Sequence, residues 1–483
     1  MSAAPNQKVA ARPRGEVAPA GARSPVRCWR CVAGFTALAL LGGCSAVKRL
    51  TPPPGIISPC AEETAVDVVH HDVELALQLE PPVLTGRGEV RIKARCPTAT
   101  IVLDAKLRVS AVAADAAPLR FHVDNDRLRI ELPQPLPAGA EARLQVAWEV
   151  RTDGATPRFA ADQVSAGYSA AAWLPTRQDP AQRATLALRI VAPAELTVVA
   201  SGRALPPEPL PLGRTRHSFV LDRPVPPFLY AFAAGRFQET RLELDGLQLR
   251  ALGPAGSDPS AALAATAYAY RFLYDKLQAR LPTAGYSQVF VHGEAAQEAA
   301  GLALLGESFL ADLAAEPKED WAFSHELAHQ WFAVLVPCAD FADFWLNEGL
   351  ATFLVAAIKE KRWGPAAYER ELALWRARSA KVHQAGRDLP LALAAPGAPR
   401  RAPPTESQLQ PRGVTYARGA LALHRLRDEL GEEAFWSGLR LYVRERAGQG
   451  ARSEDLRRAM EAASRRDLRP FFARWVYAAA PDI

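Results

Sequence analysis

From residue 65 to residue 245 the apolar positions come in short runs broken by turn residues. Val73-Glu74-Leu75-Ala76-Leu77-Gln78-Leu79 and Gly88-Glu89-Val90-Arg91-Ile92-Lys93-Ala94 alternate apolar and polar at a period of two. That is the pattern of a strand with one face buried. After Pro259 the period lengthens. Ala261–Leu281, Asp320–Val336, a stretch from Phe344 to about Lys361, Gly419–Leu430 and Ser453–Ala463 carry apolar residues at helical spacing. Pro337 is expected to close the second of these helices, because proline cannot continue the hydrogen-bond ladder. Leu389 to Gly413 is Pro-rich and reads as a loop. The pattern predicts an α+β chain, with an N-terminal all-β domain over 65–245 and a mainly helical domain over 246–483. At 52.3 kDa the chain is large enough for both, and it contains no internal repeat.

The first 64 residues follow neither pattern. Arg23, Arg27 and Arg30 precede an apolar run from Cys31 to Leu41, as in an export signal. The run is shorter than the roughly 20 residues a spanning helix needs. Leu41-Gly42-Gly43-Cys44 resembles a bacterial lipoprotein processing box. The expectation is a signal peptide over 1–43, lipidation of Cys44, and a tether over 44–64 made semi-rigid by the prolines of Thr51–Pro59. Cleavage by an ordinary signal peptidase and retention as an uncleaved anchor are the alternatives. The lipidated form would face the periplasm, and Ser45 is compatible with outer-membrane sorting. This leader also carries the charge. It holds six basic residues and one acid, +5 of the formal +6, so the remainder is close to neutral. No basic patch is left to argue for nucleic acid. Cys28 and Cys31 lie in the leader. In an oxidising compartment Cys60 and Cys96 are a plausible bridge, and Cys338 is expected to be packed.

Candidate chemistry concentrates in one pentad, His325-Glu326-Leu327-Ala328-His329, followed after eighteen residues by Glu348. Side chains four apart on a helix share a face, so both imidazoles can meet one zinc ion. Glu326 then stands beside the metal, where a carboxylate can take a proton from the attacking water. Hydrolytic zinc sites usually have three protein ligands, and Glu348 is the candidate third. With 9 His in the chain, chance supplies roughly 0.01 such pentads. Among the other histidines, His70 and His71 are adjacent strand residues that point to opposite faces and read as surface. His292, His383 and His424 have no second ligand at useful spacing.

The stretch from His325 to Ala351, with HELAHQWF and WLNEGLA, resembles the gluzincin aminopeptidases related to aminopeptidase N and leukotriene-A hydrolase. Weaker similarity covers most of the chain after residue 65. It includes Trp173–Pro180 and Pro227–Gly235 in the β region, Thr415–Ala420 and the final Phe471–Val476. The resemblance implies a saddle-like β domain, a thermolysin-like catalytic domain, one zinc per chain and peptide substrates. It assigns Tyr416 to the developing oxyanion, a role a phenol donor can fill. The family's Gly-x-Met-Glu-Asn strand, which binds the substrate's free α-amine, is reduced here to Ala295-Ala296-Gln297-Glu298-Ala299. Only Glu298 and the later Gly301-Leu302 fit, so Glu298 is the candidate amine anchor. The long helical C-terminal domain of many members does not follow Tyr416. Aminopeptidase, zinc endopeptidase without free-amine specificity, and non-catalytic envelope lipoprotein are the readings that remain.

Overall fold

The computed structural model describes residues 61–152, 156–293, 296–393 and 411–479, all within the compact unit Ile57–Ile483. The expected signal peptide, the lipidation cysteine Cys44, most of the tether and Cys60 lie outside the described residues. Cys96 is disulfide-bonded, and Cys338 is the free cysteine among those described.

The N-terminal half is built on a nine-stranded sheet. At its centre Val66–Gln78 pairs antiparallel with Val83–Ala94 and parallel with Ala184–Pro193. The alternation in sequence becomes alternation of burial, with Val73, Leu75 and Leu77 fully inside. A four-stranded and a three-stranded sheet complete this half. A bulge between Val68 and His70 shifts the phase of the first strand. His70 remains half-buried, but His71 is fully buried, contrary to the surface position expected for the pair. The His71 ring packs edge-on against Tyr230 at 5.7 Å between centroids, and its Nε2 lies 3.2 Å from the Pro175 carbonyl. Burial lowers its pKa from 6.5 to about 3.

Nine helices are described: α1 Ser260–Leu277, α2 Ser308–Ala315, α3 Trp321–Ala328, α4 Trp345–Trp363, α5 Pro365–Gln384, α6 Gly419–Leu430, α7 Glu432–Arg446, α8 Ser453–Ser464 and α9 Arg469–Trp475. The helical half also holds a five-stranded sheet that the apolar pattern did not announce. Two of its strands, Gly285–Val291 and Leu302–Gly306, are short and almost wholly buried, so they lack the alternation that marks a half-exposed strand. The hairpin Phe237–Leu244/Leu247–Pro254 belongs to this sheet, through parallel pairing of Leu247–Pro254 with Gly285–Val291. The expected boundary at 245/246 therefore falls at the tip of a hairpin, and the change of sheet occurs between Gly235 and Phe237. Ala296–Ala299 is the edge strand, antiparallel to Leu302–Gly306.

Two helices are shorter than expected. α1 stops at Leu277 because Gln278 turns left-handed, with φ of 53°. α3 stops at Ala328, not beside Pro337. His329 is still helical, but Phe332 and Ala333 leave helical dihedrals within a wide turn over Gln330–Leu335. The cause is packing: Ala333 and Val334, together with Ala300, are buried in the core of the N-terminal β half. α4 lies in the one described helical span long and apolar enough to cross a membrane, and the apolar stretch of that span is buried.

Candidate metal centre and active site

α3 and α4 pack together and set the site. Their far ends are fixed by Arg362 of α4, whose guanidinium bonds Asp320 at the start of α3 at 2.8 Å. Between them the chain makes a tight link from Pro337 to Phe344. The Cys338 amide donates to Asn347 Oδ1 at 3.1 Å. The Asp343 carboxylate accepts from both the amide and the hydroxyl of Ser453, at 3.0 and 2.6 Å. The Trp345 indole bonds the same hydroxyl at 2.9 Å. Cys338 is buried with Phe341 and Phe344, as expected for a packed residue. This link delivers Glu348, in the first turn of α4, to the histidine face of α3.

His325 Nε2 and His329 Nε2 lie 3.1 Å apart, and Glu348 Oε2 is 3.4 Å from the first and 3.5 Å from the second. A tetrahedral ion with ligand bonds of about 2.0–2.2 Å needs ligand atoms roughly 3.3–3.5 Å apart. The two sides to Glu348 meet that requirement, and the side between the imidazoles, at 3.1 Å, falls about 0.2 Å short of it. His329 Nδ1 lies 3.2 Å from the Phe332 carbonyl. Donation there leaves Nε2 as the free lone pair and ties the tautomer to the kink after α3. Glu348 Oε2 is buried without a hydrogen-bond partner, a costly state for a carboxylate that no cation compensates. These observations are what a divalent metal would satisfy.

A second trio shares His329. Ligand atoms of Glu298, Glu326 and His329 lie within 4.8 Å of one another. Glu326 is 2 % exposed and its Oε2 has no partner. Glu298 is 5 % exposed. Its Oε2 accepts from the Gln297 amide at 2.8 Å, while Oε1 is buried and unpartnered. Burial, opposed by His329 and reinforced by Glu348, pushes the Glu298 carboxyl up to about 7. Burial also holds Glu326 well above the usual carboxylate range, with His329 opposing and Glu298 and Glu348 adding. Glu348 goes the other way: burial would raise it, but the two imidazoles hold it well below that range.

Tyr416 lies in a wide turn, Gly413–Arg418, that leads into α6. Its ring stacks on His325, 5.8 Å between centroids and 14° between planes. Burial, with Glu348 and Glu298, raises its pKa far above 10, so the phenol stays a donor. Two features hold the turn. Gly419 and Gly349 touch backbone to backbone, and a Cβ on Gly349 would lie 3.0 Å from the Gly419 Cα. The guanidinium of Arg418, 1 % exposed, bonds the Leu389 and Ala479 carbonyls and the Asp388 carboxylate.

Residues 262–475 match the family model described as the peptidase family M1 domain. The chain carries an M1 peptidase domain. The matched span includes His325, Glu326, His329, Glu348, Glu298 and Tyr416, and the gluzincin resemblance is borne out. Aminopeptidase N of Streptomyces lividans is 27 % identical over 242 residues, 47 % of this chain and 27 % of that protein. Glutamyl aminopeptidase of Bitis rhinoceros is 26 % identical over 275 residues, 54 % of this chain and 28 % of that protein. The chain thus spans less than a third of the length of these curated relatives. Among solved structures, the M1 zinc metallopeptidase of Deinococcus radiodurans shares the fold, with a TM-score of 0.68 at 23 % identity, covering 86 % of this chain and 94 % of that one. A mutant form of the same enzyme gives a TM-score of 0.70 at 24 %, covering 87 % and 97 %. The expected α+β architecture, a β-rich half followed by a helical one, is the fold of this chain.

The pentad, Glu348, Glu298 and Tyr416 therefore come together as one site. The remaining histidines do not join it: His292 sits between Asp162 and Glu307 on the surface, and His424 bonds Tyr368. Sequence reasoning passed over Gln330, which is fully buried. Its Oε1 accepts from the Gly301 amide at 3.0 Å and its Nε2 donates to the Ala299 carbonyl at 2.9 Å. It clips the Glu298 hairpin to the histidine turn. Its position directly after His329 was the available signal.

Proposed function

We propose that this M1 chain is a zinc-dependent aminopeptidase, removing N-terminal residues from peptides. His325, His329 and Glu348 hold one zinc ion. Zinc supplies a Lewis acid that polarises the scissile carbonyl and brings deprotonation of water into the neutral range. Glu326 takes the proton from the attacking water and returns it to the leaving amine. The Tyr416 hydroxyl donates to the carbonyl oxygen as negative charge develops there, an interaction stronger in the transition state than in the ground state. Glu298 Oε1 accepts from the α-ammonium of the substrate, which is mostly charged at neutral pH. Gln297 occupies Oε2 and orients the carboxylate.

The observation that carries exopeptidase action is the buried, unpartnered Glu298 Oε1 beside Glu326 and His329. An endopeptidase has no use for a bare carboxylate there. A Deinococcus radiodurans neighbour of the same fold was solved with a Tyr-Ser-Ala substrate, a short peptide with a free amine. The test is a panel of aminoacyl reporters and matched N-acetylated peptides, run on zinc-loaded protein with a chelator control. Cleavage of the free-amine members alone supports the proposal. Cleavage of the acetylated peptides makes the chain an endopeptidase, and absence of any turnover makes it a binding protein.

We infer further that the chain is lipid-anchored through Cys44 and faces the periplasm, from the leader sequence alone. Metabolic labelling with a radioactive fatty acid should mark the wild type and not Cys44→Ala.

A further inference from the structure

Behind the Glu326 carboxylate the five-stranded sheet carries polar side chains that the chemistry above leaves unused. Along Gly285–Val291 the even positions face the helices. Tyr286 and Phe290 lie in the core of the helical half, whereas Val289 and Val291 lie in a small core on the opposite face. Gln288 shares the helix-facing side, because residues two apart on a strand point the same way. Its Oε1 accepts from the Thr266 hydroxyl of α1 at 2.7 Å. Phe290 meets Phe323 of α3 at 6.1 Å between ring centroids. Glu326 follows Phe323 by three residues and so lies on the same side of α3.

Strand register sets what stands beside Glu326. Gln288 pairs with Ala303, and Ala303 pairs with Glu298. The three form one row across the sheet, two long polar side chains with a methyl between them. With neighbouring strands about 4.8 Å apart, the row is about 10 Å wide. At one end Glu326 groups with Glu298. At the other it acts on Tyr286: burial first, then the charge of Glu326, hold that phenol well above its usual pKa, with the Gln288 amide opposing. The phenol therefore stays a donor. Three atoms here are buried without a hydrogen-bond partner, namely the Tyr286 hydroxyl, Gln288 Nε2 and Glu326 Oε2. Two donors and one acceptor left bare are costly, and a buried water typically makes about three bonds to such groups. The short side chain of Ala303, between the longer ones, is where the room for it lies.

We propose that Tyr286 and Gln288 are positioning residues for Glu326: they hold its Oε2 from behind through one shared buried water, which leaves Oε1 as the oxygen that takes the proton. This rests on the reading of Glu326 as the base.

The experiment compares zinc-loaded wild type with Tyr286→Phe, Gln288→Met and the double variant, measuring kcat and KM on an aminoacyl reporter, zinc content and urea unfolding. Tyr286→Phe removes one hydroxyl and keeps the ring; Gln288→Met removes the amide and keeps the length. Each should lower kcat by about ten- to hundredfold, the span of one hydrogen bond to a charged group. KM should stay within about twofold of the wild type, since the loss falls on the transition state alone, and zinc should be retained. The double variant should be about as slow as the slower single one, because both residues act through one water. The proposal is overturned if Tyr286→Phe keeps the wild-type kcat, as loss of an idle hydroxyl would. It is equally overturned if the two factors multiply in the double variant, or if the lost rate tracks lost zinc or lost stability. A wild type without turnover would instead remove Glu326 as the base, and the positioning role would fall with that reading.

Discussion

Replacing Gln330 with Ala tests the link between the histidine turn and the strand that carries Glu298. The wild-type amide satisfies two backbone groups, the Gly301 N–H and the Ala299 carbonyl, with bonds of 3.0 and 2.9 Å. Alanine leaves both buried beneath a fully enclosed side-chain position. Each stranded polar group costs about 1–3 kcal/mol, so the variant should lose about 2–6 kcal/mol of stability, less if water enters the gap. The catalytic effect should be as large. Glu298 lies one residue before Ala299, and a displacement of about 1 Å in a binding group can cost about a hundredfold in rate. Urea denaturation of the zinc-loaded protein measures the first quantity. KM for an aminoacyl reporter measures the second and should rise more than kcat falls. Gln330→Glu sharpens the test, because it keeps an acceptor for Gly301 but turns a second oxygen towards the Ala299 carbonyl. It should be no milder than alanine. If both variants stay within about 0.5 kcal/mol of the wild type and keep its KM, the clip has been misread.

Three further outcomes are expected. Glu326→Gln should retain zinc, measured by metal analysis, while kcat falls by about 10²–10⁴, the range for losing a general base; an active variant would refute the assigned chemistry. Gly349→Ala places a methyl 3.0 Å from the Gly419 Cα and 3.2 Å from the Trp345 ring, so α4 and α6 must part; kcat should drop and stability should fall by about 1–3 kcal/mol, whereas an unchanged enzyme would show that the contact has slack. His71 governs a pH effect. Its folded pKa, about 3, lies below the ordinary 6.5, so the unfolded chain binds the proton first. The stability it contributes is complete above pH 6.5 and is lost as pH falls towards 3, at about 1.4 kcal/mol per unit. The slope of unfolding free energy against pH should be shallower by that amount in His71→Gln, and equal slopes would contradict it.

The proximity of His325 and His329 was legible because helix geometry converts a four-residue spacing directly into a shared face. Glu348 needed the turn between α3 and α4, which Pro337 and the link to Asn347 supply. What escaped was information carried by tertiary contact. The end of α3 is set by Ala333 and Val334 entering another core, and apolar periodicity cannot distinguish that from a helix continuing to Pro337. The strands Gly285–Val291 and Leu302–Gly306 escaped because strands buried on both faces show no alternation. His71 was misplaced by a one-residue bulge, which reverses the face of everything beyond it. Gln330 is a single polar residue whose meaning lies in the two backbone groups it bonds.

The kink after His329 has a consequence for anyone who would trim this chain to its peptidase half. Ala333 and Val334 are lodged among β-half side chains, and the carbonyl that fixes the His329 tautomer belongs to Phe332, one residue earlier. An excised fragment would leave a greasy plug in water and free the very carbonyl that holds the His329 ring. The amino-terminal half therefore props the turn that follows His329, and a peptidase half cut free is expected to lose that support.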